Sequence, residues 1–502
     1  MLISVSLISE VIGVVVALLV SIICYYKWTY QYWRRKNLPY LEPQIPFGNL
    51  TESVRRKENF GITIRHFYDE MKAKGWKHGG VYFLLSPTYF VLDLDYIKNI
   101  MTKDFQHFVD RNIYYNEKDD PLSAHLVNVT GTRWRNLRSK LTPTFTSGKM
   151  KMMFHTLVEC EANLRKQMEA KCATKEAINI KDVLACFTTD VIGSCAFGLE
   201  CKSFEDESSP FRVYGKKIFA TTRPQRYKRM FATNFQKLAR MLGVRNNPKD
   251  IADFYMNVVK DTVNYREKNN YTRNDFMQLL IDLKNGEDGL TINEVAAQSF
   301  VFFLAGFETS STLMTFTLYE LARNEDIQDR LRDEIRTVLA RHDGKITYDA
   351  IQEMKYMSQV IDESLRMYPP APLTNRKCVK DYKLPDEDII IEKGTSVVIP
   401  IMGIHYDEDY YPNPKKFDPE RFTEENKSSR HHYAHLPFGE GPRNCIGMRF
   451  GLMQAKVGLT SMIRNFKFAV NEKTMEPLKM ALDSIVLTAK GDIWLNAQKI
   501  EK

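Results

Sequence analysis

The chain has 502 residues, 44% of them hydrophobic and 26% charged, with a net charge of +9. This balance fits a folded protein with a large core, and eight cysteines are too few for a disulfide scaffold. No two of them form a CxxC pair, which argues against zinc, and acids mixed through the basic stretches argue against a nucleic-acid partner; an anionic membrane surface suits the charge better.

From Leu2 to Tyr26 the chain is apolar apart from Glu10. A bilayer core takes about 20 apolar residues as a helix, so residues 1–26 read as a membrane anchor. A cleaved signal peptide is the competing reading, but there is no basic n-region and no small-residue cleavage site. Tyr25, Tyr26, Trp28, Tyr30, Tyr32 and Trp33 are expected to form an interfacial aromatic belt. Lys27, Arg34, Arg35 and Lys36 follow on one side only, which places the remainder in the cytosol. The stretch "NLPYLEPQIPFGN", with Pro39, Pro43 and Pro46, then completes a semi-rigid linker over residues 27–49.

Residues 50–502 read as one body, mainly α with small β-sheets (α+β). A short helix is expected around Phe67–Lys74, and "VYFLLSPTYFVLDL" reads as a hairpin turning at Ser86-Pro87. The pattern is mostly helical from about 133 to 370. In it, "WRNLR" puts Trp134 and Arg138 on one helix face. The apolar run Val301–Glu320 resembles a second membrane span, but Glu308 near its centre and six Ser and Thr residues indicate the central helix of a globular core. Ala305 and Thr309 share a face there, so the Thr309 hydroxyl can bond back to the Ala305 carbonyl. Glu363 and Arg366 of "ESLR" are similarly placed to pair, and Pro369-Pro370 stop that helix. "EKGTSVVIPI" reads as a strand and "LKMALDSIVLTAKGDIWLNAQ" as strands or hairpins.

"FGEGPRNCIGMRF", Phe438–Phe450, is the most distinctive stretch. Gly439, Gly441 and Gly447 permit turns that aim backbone N–H groups at Cys445. A helix expected to begin at the cysteine would favour its thiolate. A lone soft ligand suits a metal that brings its other ligands along, as heme does.

Phe438, Gly441, Arg443, Cys445 and Gly447 match F-x-x-G-x-R-x-C-x-G, so the chain resembles the cytochrome P450 family, the heme-thiolate monooxygenases. Three further motifs occur in the family's order: W-x-x-x-R, the "AGFETS" oxygen-binding segment and E-x-x-R. The resemblance implies the P450 fold, heme b (iron protoporphyrin IX), and insertion of one oxygen atom from O2 into a lipophilic molecule. It implies Cys445 as the metal ligand, with Ala305, Phe438 and Gly447 at the cofactor. Trp134, Arg138, Arg376 and Arg443 would hold the heme propionates, and Arg111 is a further candidate. Thr309 and Glu308 would relay protons, Gly306 would let oxygen approach the backbone, and Arg421 would join Glu363 and Arg366 in a buried core network. Electrons would come from NADPH-cytochrome P450 reductase, with cytochrome b5 as a second donor, on the cytoplasmic face of the endoplasmic reticulum. A basic face around Arg133, Arg135 and Lys140 is the expected docking surface. "LTPTFTSGKMKMM" is similar to the insect detoxification branch and its vertebrate drug-metabolising relatives, which implies xenobiotic substrates. Expected pocket walls are Arg111–Val129, Phe302, Phe303, Ala371–Leu373 and Ser484–Val486, under a roof from Phe211 to Val244. Two rivals remain: an O2-independent isomerase or dehydratase of the same fold, and a heme sensor or carrier without enzymatic activity.

Overall fold

A computed structural model describes residues 2–206, 208–219, 222–484 and 486–500. The backbone divides into two compact units, Met1–Val109 with Leu373–Pro400, and Asp110–Pro372 with Ile401–Lys502.

In the first unit the apolar N-terminus forms helix α1 (Leu2–Thr29). Within Ile8–Thr29 an 18-residue window has a mean hydropathy of 2.5, and none of that window is buried. The aromatic cluster that follows does not behave as one belt. Trp28 is exposed, whereas Tyr30 and Trp33 are core residues. Trp33 lies against Gly80, where a Cβ would come within 2.3 Å of the indole ring, and its Nε1 donates to the Val81 carbonyl at 3.2 Å. A helix at Phe60–Ala73, capped by Asn59, begins seven residues before the sequence suggests. Strands β1 (His78–Phe83) and β2 (Ser86–Val91) form the expected hairpin, but the turn is Leu84-Leu85 rather than Ser86-Pro87. Leu84 takes the left-handed φ of 59° that a tight two-residue turn requires. Pro87 fits within β2 because pairing of β2 with its other neighbour starts only at Thr88, so no ladder bond is lost there. With β3 (Thr374–Lys377) and β4 (Ser396–Ile399) these strands make a sheet ordered β1-β2-β4-β3, in which only β2 and β4 run parallel.

The second unit is helical. Its principal members are α2 (Gly131–Leu141), α3 (Ser147–Ala173), α4 (Ile180–Phe197), α5 (Arg223–Asn234), α6 (Lys249–Lys268), α7 (Ile292–Arg323), α8 (Lys355–Met367) and α9 (Met448–Asn465). A capping box between Thr291 and Glu294 starts α7, which runs through the core against α4, α6, α8 and α9. Glycines let it lie close to two of them. A Cβ at Gly306 would sit 2.3 Å from Ile192 of α4, and one at Gly458 of α9 would sit 2.6 Å from the Met314 sulfur. The membrane-span window of α7 is 72% buried, so this is a core helix, as Glu308 indicates. At the C-terminus β5 (Phe466–Val470) pairs antiparallel with β6 (Trp494–Lys499). Ahead of β6 the "LKMALDS…" segment contributes only an isolated bridge, Met480 to Ala489, and Ile485 of the expected pocket wall lies outside the described residues.

Candidate functional site

The cysteine loop is folded as its glycines require. Gly439 and Gly441 take φ of 67° and 72°, which side chains resist, and the Cys445 N–H donates to the Phe438 carbonyl at 2.9 Å to close the loop. The helix does not begin at the cysteine. α9 starts at Met448 with Gly447 as its N-cap, because the Gly441–Arg443 turn and extended Asn444 precede it. The Cys445 side chain keeps free surface, yet it is so enclosed by protein that burial pushes its pKa up. Both hold for a thiol in the wall of an interior hollow. The Gly447 N–H and the cations Arg111 and Arg138 pull the other way. Thiolate character is therefore promoted by one backbone donor and two guanidiniums rather than by a helix that starts at the sulfur.

Three arginines gather at this loop. Arg138, from α2, donates to the Asn444 carbonyl at 3.0 Å and to its Oδ1 at 2.8 Å. Arg111 donates to the Arg443 carbonyl at 3.0 Å. Arg443 donates to the carbonyls of Val127 and Val129 at 3.0 and 2.7 Å, and its guanidinium lies 4.4 Å from the centre of the Trp134 ring. Burial lowers all three pKa values, and that of Arg443, further depressed by Arg111 and Arg138, falls to about 9. Among the described residues, the Arg443 Nε has no hydrogen-bond partner. Such crowding of buried cations, with the Arg111 Nε likewise unused, is the setting that an anionic ligand relieves. Arg376 belongs to the first unit. It is buried on β3, with Nη1 donating to Thr374 Oγ1 at 3.1 Å and to the Asn375 carbonyl at 2.9 Å.

α7 runs beside the start of α9, just downstream of the loop: the Phe302 and Phe450 rings are 5.2 Å apart, and a Cβ on Gly451 would lie 3.8 Å from Ser310 Oγ. Between these two contacts Phe303, Phe307 and Glu308 are buried, but Ala305, Gly306 and Thr309, with Leu304 beside them, form an accessible strip. The Thr309 hydroxyl donates to the Ala305 carbonyl at 2.5 Å, the bond their spacing anticipates. Glu308 points elsewhere. It is buried, and Lys181 of α4 meets its Oε1 at 2.8 Å while also donating to Ser311 Oγ at 3.1 Å and Thr312 Oγ1 at 2.8 Å. Sequence reasoning missed Lys181. Its one signal is that it is the sole cation of its helix, and its partner is 127 residues away.

Phe302 and Phe303 are not free pocket walls. Phe302 packs on Phe145, Phe276 and Phe450, and Phe303 on Phe197, Phe211, Tyr255 and Phe307. Within the expected basic face, Arg133 is ion-paired to Glu117 and Glu294, and Lys140 donates to the Asp288 carbonyl. The Glu363–Arg366 pair is fully buried, with Arg421 Nε 3.4 Å from the same carboxylate.

The sequence profile of the cytochrome P450 family matches residues 41–496. The chain belongs to the cytochrome P450 family. It is 45% identical over 495 residues to cytochrome P450 6a2 of Drosophila melanogaster, covering 96% of this chain and 98% of that one. It is 44% identical over 495 residues to cytochrome P450 6A1 of Musca domestica, covering 96% and 97%. A third relative, probable cytochrome P450 6a23 of Drosophila melanogaster, is 45% identical over 496 residues, covering 97% and 99%. As a member of the P450 family the protein is a heme-thiolate monooxygenase that binds heme b through a cysteine thiolate, takes electrons from a redox partner and acts on a lipophilic substrate. The residues present fit that cofactor. An accessible, enclosed sulfur supplies a soft ligand, buried guanidiniums supply counter-charge for two propionates, and the strip on α7 offers a flat, small-residue surface.

Proposed function

We propose that this P450 oxidises lipophilic xenobiotics such as plant toxins or insecticides, with Cys445 as the iron ligand. The observation that carries the assignment is the free surface of a Cys445 thiol held among Arg111, Arg138 and the Gly447 N–H. Trp134, Arg138, Arg376 and Arg443 would hold the propionates, while Phe438, Gly447 and Ala305 would line the two faces. The cofactor supplies oxygen activation and transfer; the protein supplies ligand, orientation and protons. Cys445 would supply the thiolate ligand, and the charges of Arg111 and Arg138 would limit how much electron density it gives. The Thr309 hydroxyl, resting on the Ala305 carbonyl, is placed to hold a proton on the accessible face of α7. Glu308, paired with Lys181, would refill that position once it had taken a proton from that ammonium or from water.

Electrons would come from NADPH-cytochrome P450 reductase, with cytochrome b5 as a second donor. α1 suits an anchor in the endoplasmic reticulum membrane: residues 1–26 would span, 27–49 would link, and 50–502 would form the catalytic domain on the cytoplasmic face, the side that Lys27, Arg34, Arg35 and Lys36 favour. The resemblance of "LTPTFTSGKMKMM" to the insect detoxification branch supports the xenobiotic reading.

The test is the spectrum of the reduced, carbon-monoxide-treated full chain. The thiolate-type Soret band is expected in the unaltered protein and is lost in Cys445→Ala. An imidazole-type band, or a thiolate band that survives Cys445→Ala, overturns the ligand assignment. For substrate class, plant-derived lipophiles should shift the resting spectrum and be oxidised only when both NADPH and reductase are present.

A further inference from the structure

A second concave site lies away from the cysteine loop, between α5 and the start of α6. It is a cavity of about 170 Å³. Lys228, Arg229 and Arg245 line it together with Gln225, Asn246 and Pro248, and its described lining contains no carboxylate. Ala232 and Val244 form its apolar floor. Three cations converging on one hollow repel each other unless something anionic joins them. Burial already lowers the Arg229 pKa, so its charge is held in a partly desolvated place. The Nε of Arg245 is buried with no hydrogen-bond partner among the described residues.

The backbone adds to the same field. Pro248 is the N-cap of α6, a helix of 20 residues, and no side chain caps that end. The positive end of its dipole therefore opens at the cavity rim. The acid of the first turn of α6, Asp250, pairs with Lys217 and also accepts from the Ile251 N–H and its own N–H, so it answers part of that dipole from the helix side. Asp120 is the carboxylate that acts on Arg245, but its own oxygens are taken up by the N–H groups of Asn246 and Asn247 and by the Asn247 side chain. Asp120 thus braces the loop that carries Arg245 and offsets one of the three charges, so the cavity stays net cationic.

We propose that this cavity binds a phosphate group, as a free anion or as the phosphate of a lipid headgroup. Two planar guanidiniums and an ammonium match several oxygens at once, which a phosphate offers and a lone halide does not. A water occupies about 30 Å³ of liquid, so the cavity has room for a phosphate and the first atoms of its ester. Exposed Tyr227, Leu238, Met241 and Leu242 lie on α5 and the segment after it, apolar surface in the same stretch of chain suited to the rest of an amphiphile.

The experiment follows hydrogen exchange of residues 225–248 in the full, heme-loaded chain held in phosphatidylcholine nanodiscs. One arm titrates inorganic phosphate; the other replaces part of the phosphatidylcholine with phosphatidic acid. Saturable protection confined to this segment is expected in at least one arm. Protection in the second arm alone assigns a lipid headgroup; protection in both assigns phosphate in either form. Lys228→Gln, on an exposed side chain, and Arg245→Gln should each weaken it by about tenfold, the scale of one charge-assisted hydrogen bond. The proposal is overturned if neither arm protects the segment, or if Lys228→Gln with Arg245→Gln leaves the protection unchanged.

Discussion

Two buried carboxylates in the helical unit have opposite fates. Glu363 on α8 is saturated: Arg366 meets it twice, at 2.6 and 2.8 Å, and the Asp418 N–H adds a third bond at 2.9 Å. Arg366 in turn donates to the His405 carbonyl at 3.0 Å, and everything around the pair is closed. Glu308 on α7 has one cation, Lys181, whose side chain is still 26% exposed, and it neighbours the accessible Thr309. A fully satisfied buried charge specifies a fold, whereas a carboxylate held by a single movable ammonium can change partners. The first arrangement suits assembly, and the second suits the proton delivery proposed for Thr309 and Glu308.

The largest effect should come from breaking the closed network. Arg366→Ala leaves Glu363 buried without its cation, a change worth about 3–5 kcal/mol. Little heme-loaded protein should then survive expression or a thermal melt. A variant that folded and bound heme normally would erase the distinction drawn above.

Acid should attack the same network next. His405 accepts from the Leu436 N–H at 2.9 Å through Nε2, so its Nδ1 must carry the proton that it donates to the Arg366 carbonyl at 3.2 Å. His435 stacks on it, with ring centroids 5.3 Å apart. Burial pushes His405 well below its ordinary 6.5 and His435 down to about 3. The fold keeps both neutral while the unfolded chain protonates them. Their contribution is therefore complete above pH 6.5 and is lost as pH falls from there toward 3. Each histidine should cost about 2 kcal/mol by pH 5. Denaturant midpoints measured at pH 7 and pH 5 should separate accordingly, and His435→Phe should reduce the separation.

The closed network was also the more legible one. "ESLR" pairs within one helical turn, so its partners are visible in sequence, and the family resemblance supplied Arg421. Thr309 and Ala305 were legible for the same reason, four residues apart on one face. Lys181 was not, because its meeting with Glu308 depends on how α4 packs on α7. The start of α9 was misplaced for a local reason: periodicity cannot see that the chain from Gly441 to Asn444 is a tight turn followed by an extended residue. Nor does periodicity distinguish an aromatic pocket wall from an aromatic core, and Phe302 and Phe303 turned out to be core.

Lys181→Met probes the open pair. The change removes three donated hydrogen bonds from a partly accessible ammonium, so the stability loss should be smaller than for Arg366, about 1–2 kcal/mol. Burial holds the Lys181 pKa below its ordinary value, so the unaltered fold should gain stability with rising pH on the alkaline side, up to the unfolded lysine value of 10.5. Met at this position should flatten that gain. The share of NADPH electrons released as peroxide should rise as well, since Glu308 loses its anchor. Unchanged coupling would mean that the pair is structural after all, like its counterpart on α8.

Thr309→Val should leave stability almost untouched while altering turnover most selectively. The substitution conserves shape and deletes one hydroxyl, whose bond to the Ala305 carbonyl is local to the helix and offsets little net energy. A shift under about 1 kcal/mol is expected, with heme content and the carbon-monoxide spectrum preserved. Product formed per NADPH should nevertheless fall by about tenfold or more, because a placed proton donor contributes to rate and not to folding. A loss of heme alongside the loss of product would instead show that the accessible strip of α7 is braced by this hydroxyl. In that case the two carboxylates would differ only in exposure, and the division between assembly and proton delivery would rest on Lys181 alone.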